Sequence, residues 1–162
     1  MTDYAGLIQL LVDHEVEFIL VGGFAATLHG SARLTLDLDI VYNRSDENFK
    51  RLSRALENQN VNLRGAPAGL PFVFDISALK SGLNFTLTTN LGSLDLLGQI
   101  TGGGAYRDLL NFCISIEIFD RECLVIDLEK LIELKRAAGR PKDLEAIAEL
   151  EEIADEQSTS EQ

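Results

Sequence analysis

The sequence predicts an α+β, two-layer domain, built as a mixed or antiparallel sheet with helices packed mainly on one face. Three features carry that prediction. Two pairs of short apolar runs, Leu83–Thr89 with Ser93–Gly98 and Phe112–Phe119 with Glu122–Ile126, are joined by turn residues at Asn90-Leu-Gly92 and Asp120-Arg121, as β-hairpins are. A strand-like run, Glu17–Val21, passes through Gly22-Gly23 directly into a helix-forming stretch. Segments with helical apolar periodicity occupy both ends of the chain.

Taken in order, Tyr4–His14 places Leu7, Ile8, Leu10, Leu11 and Val12 mostly on one helical face. Glu17–Val21 is a continuous apolar strand, and Phe24–His29 is a short helix that Gly30 ends as a left-handed cap. Thr35–Tyr42 is a second strand. Ser45 caps a helix over about Asp46–Gln59, with Phe49, Leu52, Ala55 and Leu56 facing inward. Val61–Lys80 carries no clear period beyond one or two helical turns at Asp75–Lys80. After the first hairpin, Thr101–Ala105 is a flexible glycine loop and Tyr106–Leu110 a short helix. After the second, Asp127 caps Leu128–Ala138, Gly139 ends it, and Pro141 opens a last helix to about Ala154. No repeat or linker divides the chain, so residues 1–154 form a single domain. Residues 155–162 are a polar, acidic tail expected to be disordered.

Composition narrows the function. The chain has 162 residues, 46% of them hydrophobic, which supports one core but not two full domains. No apolar run reaches the roughly 20 residues of a membrane span, and the N-terminus has no basic-then-apolar signal pattern. Cys113 and Cys123 have no metal-spaced neighbours and are expected to be free thiols in a reducing cytoplasm. Net charge is −12. Residues 143–162 hold eight acids and no Lys or Arg, whereas residues 1–142 carry 14 cations against 18 acids, a net −4. Such a field opposes binding along a nucleic-acid duplex but not capture of a small phosphorylated ligand by a local cationic cluster.

The chemistry concentrates between Val21 and Val41. Asp37 and Asp39 lie two residues apart in the apolar run Leu36-Asp-Leu-Asp-Ile-Val41, so a strand would point both carboxylates to one face. Like charges so placed need a counter-ion, and carboxylate oxygens suit Mg2+ or Mn2+. Asp95, inside Ser93-Leu-Asp-Leu-Leu97, is the candidate third carboxylate, with Asp75 and Glu117 as weaker alternatives. Gly22-Gly23, between strand and helix, permits close backbone approach to phosphate and is neither a Walker loop nor a dinucleotide fingerprint. Arg33 precedes the aspartates as a phosphate clamp or a surface arginine. Lys135, Arg136, Arg140 and Lys142 are the densest basic cluster; they face a ligand or cap the helix ending at Gly139. His29 reads as a packed or capping histidine, and His14 has no evident partner.

These residues together resemble the nucleotidyltransferase superfamily, the fold of DNA polymerase beta and CCA-adding enzymes, and in particular small bacterial nucleotidyltransferase-like proteins of toxin–antitoxin and abortive-infection systems. The resemblance runs through Gly22-Gly23, His29-Gly30, Arg33, Thr35, Asp37, Asp39, Asp95 and Lys135-Arg-Ala-Ala-Gly-Arg-Pro-Lys-Asp143, over roughly residues 17–150. Many members have Gly-Ser where this chain has Gly22-Gly23; Gly-Gly also occurs, including in lincosamide-type antibiotic nucleotidyltransferases and CCA-adding enzymes. The resemblance implies an NTP substrate and Mg2+ or Mn2+ held by Asp37, Asp39 and Asp95, with Asp95 also serving as general base. Gly22, Gly23, Arg33, Thr35, Lys135, Arg140 and Lys142 would be nucleotide and phosphate contacts. The implied acceptor is a hydroxyl on a toxin-like partner protein, a tRNA end or a small molecule. A partner chain or a second copy would complete so short a site.

Overall fold

A computed structural model describes residues 1–67 and 69–160. In it the expected α+β architecture is present as a seven-stranded mixed sheet with helices packed on it. The elements are α1 (Tyr4–Asp13), β1 (Phe18–Val21), α2 (Gly22–Leu28), β2 (Asp37–Tyr42), α3 (Asp46–Ala55), β3 (Asn62–Leu63), α4 (Ile76–Ser81), β4 (Asn84–Thr89) and β5 (Gly92–Leu97). They continue with β6 (Gln99–Ile100), β7 (Gly104–Ala105), α5 (Tyr106–Leu109), β8 (Cys113–Ile118), β9 (Arg121–Ile126), α6 (Leu128–Ala138) and α7 (Pro141–Ser160). The sheet order is β3-β4-β5-β2-β1-β9-β8. β4–β5 and β8–β9 are antiparallel hairpins, whereas β2–β5 and β1–β9 pair in parallel across long connections.

Period-two alternation sorts the central strands. Leu38 and Ile40 of β2, with Leu94 and Leu96 of β5, are fully buried in one core with Leu7, Ile8 and Leu11 of α1 and Leu52 of α3. The opposite row carries Asp37, Asp39 and Asp95. Helices α6 and α7 pack on each other, and α2 packs on β1, β2 and α6, bringing the C-terminal helices to the acidic row. Among the described residues, no helix is long and apolar enough to cross a membrane.

Five boundaries differ from expectation, the first being β2, which begins at Asp37 and leaves Thr35 on the preceding loop. α7 runs to Ser160, through the segment expected to be disordered from 155, because no Pro or Gly follows Pro141 to break it. The Thr159 and Ser160 hydroxyls bond back to the Asp155 and Glu156 carbonyls. Residues 161–162 of that expected tail lie outside the described residues. α3 stops at Ala55 rather than Gln59, and Asn60, at φ 50°, turns the chain toward β3. The Thr101–Ala105 loop is partly ordered: Gly102 and Gly104, both with φ near +80°, let β6 fold back onto β7. α2 begins at Gly22, two residues before the expected start.

Asn48, fully buried in the first turn of α3, ties the helix to the ends of β1 and β2. Its Oδ1 accepts the Glu17 amide N–H at 2.7 Å, and its Nδ2 donates to the carbonyls of Glu17 (3.0 Å) and Asn43 (2.7 Å). Asn48→Ala removes three side-chain-to-backbone hydrogen bonds at once. It is expected to cost about 1–3 kcal/mol of folding free energy by urea denaturation, more than an exposed change such as Lys50→Ala.

Candidate active site

The parallel register of β2 against β5 builds the centre of the site. Asp37 faces Ser93 and Asp39 faces Asp95, so Asp95 joins the two aspartates that β2 already presents on one face. Flanking residues Leu38 and Leu94 are driven into the core, and this forces the acids outward as a row. Asp39 is partly buried. Burial, then the neighbouring Asp95 charge, pushes its carboxyl up to about 7.

Two glycines let the backbone come close to this row. Gly22 has φ +68°, and a β-carbon there would collide with Asp39 Oδ2. At Gly23 a β-carbon would lie 2.6 Å from Thr35 Oγ1, so the space a serine would need is filled by the Thr35 hydroxyl. The Gly-Gly departure noted in the sequence thus has a local steric reason. Thr35 Oγ1 itself donates to the Asp37 carbonyl at 3.2 Å.

Opposite the acids lies a cationic wall from the α6–α7 junction. Gly139, left-handed at φ 65°, ends α6 and turns the chain into α7. Asp143 is 1% exposed and organises the turn. It accepts Arg140 Nε at 2.7 Å and Nη2 at 3.2 Å, and Lys135 Nζ stands 3.8 Å away. Burial would raise the Asp143 carboxyl, but the hydrogen bonds and charge of Arg140 overcome it and hold the group below its usual range. Burial lowers the Lys135 ammonium. Asp39, Lys135, Arg140 and Asp143 line two adjoining cavities. One, of about 380 Å3, is bordered by Gly23, Arg33, Thr35, Asp37, Asp95 and Lys142. The other, of about 440 Å3, is bordered by Val21, Gly22, Leu97, Ile100, Leu131 and Leu134, with Asn84, Gln99 and Thr101 as polar groups.

The remaining candidates separate. Arg33 borders the polar cavity and pairs with Glu145 at 3.5 Å. Arg136 pairs instead with Glu151 and borders neither cavity. Asp75 caps α4, and Glu117 lies on β8 opposite Glu122, so neither alternative joins the acidic row. His29 contacts the Ile126 carbonyl through Nε2 at 2.7 Å, a packing role, and His14 Nδ1 contacts the Leu10 carbonyl. Cys113 and Cys123 are free thiols, each pushed up to about 11 by burial.

Sequence reasoning missed Arg64. It lies just past β3, in the stretch without a readable period, and its guanidinium enters the acidic row. Nη2 meets Asp95 Oδ1 at 2.5 Å, and Nη1 lies 3.6 Å from Asp37 Oδ1. The only available signal was its isolation: no other charged residue occurs between Glu57 and Asp75. A second omission is Glu149 of α7. It accepts the Ser31 hydroxyl at 2.5 Å and the Ala32 amide at 3.1 Å, and so anchors the loop leading to Arg33 and Thr35.

The row suits a hard divalent cation chemically, since all its donors are carboxylate oxygens and two of them are register neighbours in want of positive charge. As the side chains stand, no group of three or more His, Cys, Asp or Glu among the described residues is set to hold a metal, and Arg64 supplies the cation between Asp37 and Asp95.

Among solved structures, the fold matches that of the lincosamide antibiotic adenylyltransferase LnuA with lincomycin bound. The identity is 18% over 94% of this chain and 98% of that chain, with a TM-score of 0.60. The sequence matches no family model and no curated protein. The likeness shows that this chain has the nucleotidyltransferase-like fold.

Two measurements test the site's electrostatics and packing. Asp39 titrates near 7 in the folded chain but near 3.8 unfolded, so between those values the folded state holds the extra proton and stability falls as pH rises. Asp39→Asn should therefore stabilise the metal-free protein at pH 8 by roughly 1–3 kcal/mol relative to its effect at pH 4, measured by urea denaturation at both values. Gly22→Ala combines a left-handed backbone with a collision against Asp39 and should destabilise by about 2 kcal/mol or more in the same assay.

Proposed function

We propose that the chain is a metal-dependent nucleotidyltransferase. The reading has it move a nucleoside monophosphate from an NTP to a hydroxyl acceptor. The observation that carries it is the β2–β5 register, which sets Asp95 beside Asp39 and Asp37, facing a wall of Lys135, Arg140 and Lys142 on the fold of an adenylyltransferase. Asp37, Asp39 and Asp95 would hold Mg2+ or Mn2+, whose chemistry is to neutralise charge on the transferring phosphoryl group and acidify the acceptor hydroxyl.

The chain's own groups supply the rest. The polar cavity takes the triphosphate: Gly23, with Gly22 at the adjoining cavity, lets it approach the backbone, and the Thr35 hydroxyl stands where many relatives place a serine. Arg33, Lys135, Arg140 and Lys142 offset its charge. Asp143 holds Arg140 and Lys135 on the α6–α7 wall instead of collapsed onto Asp39. Asp95, bordering the cavity, accepts the acceptor's proton. The adjoining 440 Å3 cavity, walled by Leu97, Ile100, Leu131 and Leu134, favours a compact, partly apolar acceptor. A small hydroxylated molecule is the acceptor class put first, on the cavity's size and lining and because the similar solved protein acts on an antibiotic. A hydroxyl side chain of a toxin-like partner protein is the next class. A tRNA end comes last, because a net charge of −12 disfavours extended RNA contact. The setting proposed is the cytoplasm.

A second reading, nucleotide or partner binding without turnover, draws on Arg64, which stands on Asp37 and Asp95 where a metal would bind.

Calorimetry with each NTP, with and without Mn2+, tests the first reading. Binding is expected only with the metal, and the Asp37→Asn/Asp39→Asn variant should lose it. Metal-independent NTP binding retained by that variant would move the function to the second reading.

A further inference from the structure

Arg64 is held at three points. Its amide N–H donates to the Thr86 carbonyl at 2.9 Å, Nη1 donates to the Leu87 carbonyl at 3.2 Å, and Nη2 donates to Asp95 Oδ1 at 2.5 Å. The backbone bond fixes the base of the side chain on β4, and the guanidinium reaches across β4 to the acids on β5 and β2. The side chain remains 30% exposed, against 16% for Asp95, so it can leave the row without disturbing the core. A guanidinium stays protonated in proteins, so the group is a permanent cation. Without it, the adjacent acids at the sheet centre would face only the α6–α7 wall, where Lys135 and Arg140 are already engaged by Asp143.

We infer that Arg64 is a built-in counter-ion that a divalent metal must displace: metal entry at the acidic row and the Arg64–Asp95 ion pair exclude each other. The inference rests on the metal-site reading above. The physical argument is occupancy and charge. A guanidinium hydrogen-bonded to Asp95 Oδ1 occupies part of that carboxylate's acceptor capacity, and a positive charge among the ligands repels a second. The metal-free chain thereby avoids bare clustered carboxylates, and its affinity for metal is reduced by the fraction of molecules with Arg64 in place. When Arg64 leaves Asp95 its backbone remains anchored at Thr86 on β4, so exchange needs side-chain rotation and no strand rearrangement.

The test uses the full chain and Mn2+ alone, by calorimetry at pH 7.5, on wild type, Arg64→Gln and Asp39→Asn. Arg64→Gln is expected to bind Mn2+ about tenfold more tightly than wild type. Its metal-free Tm should fall, and Mn2+ should raise that Tm more than it raises the wild type's. Unchanged or weaker Mn2+ binding by Arg64→Gln, with binding abolished in Asp39→Asn, overturns this inference and leaves the metal site standing. Mn2+ binding that Asp39→Asn retains, or no binding by any of the proteins, overturns the metal reading and this inference with it. Should Arg64→Gln not fold, Mg2+ titration of wild type followed by NMR of the arginine guanidinium groups decides. Loss of the ion-paired Arg64 signature at saturation supports the exchange, and an unchanged signature refutes it.

Discussion

The site depends on one piece of backbone geometry: the parallel pairing that sets Asp39 of β2 beside Asp95 of β5. Carboxylates at adjacent register positions, at the centre of a sheet, repel each other and lose hydration. Everything around them answers that cost. Gly22 gives Asp39 room by having no side chain, and Thr35 fills the space beside Gly23. Arg64 enters from the far edge of the sheet to meet Asp95, and Lys135 comes down from α6 on the other side. Folding tolerates the arrangement because Leu38, Ile40, Leu94 and Leu96, on the reverse face of the same strands, are fully buried.

The cationic wall has its own internal logic. Lysine and arginine side chains placed near an acidic row would collapse onto it and close the cleft. Asp143, nearly inaccessible and bonded to Arg140, holds these cations from behind. The net acidic α7 therefore contributes one buried carboxylate to positioning and leaves most of its charge on solvent. Glu149, one and a half turns further on, uses the same helix to pin the Ser31–Ala32 loop on the opposite lip. A single C-terminal helix thus braces both walls of the polar cavity.

Much of the fold was legible because its signals are local. The hairpins showed through alternation and turn residues, α6 through its Asp127 cap and Gly139 stop, and the acidic pair through its i, i+2 spacing in an apolar strand. The limits of α7 and of the Thr101–Ala105 loop were less legible. Composition alone does not say when a polar helix persists, or when glycines at positive φ will close a small ladder. Arg64 was not legible at all. Its neighbours in sequence are loop residues, and its function as a counter-ion exists only where β3, β4 and β5 are assembled side by side.

By itself the sequence determined which residues could carry chemistry: Asp37 and Asp39 on one strand face, Asp95 within a second apolar strand, paired glycines before a helix and a basic run at a helix end. These follow from periodicity and backbone preference over a few residues, which need no distant partner. Only the tertiary structure decided that Asp95, not Asp75 or Glu117, completes the row, that Arg136 turns away while Lys135 and Arg140 turn in, and that an arginine stands among the acids. Each of those outcomes is set by strand register and helix packing between segments tens of residues apart. Register is chosen by burying the whole apolar face at once, so no single stretch of sequence contains it.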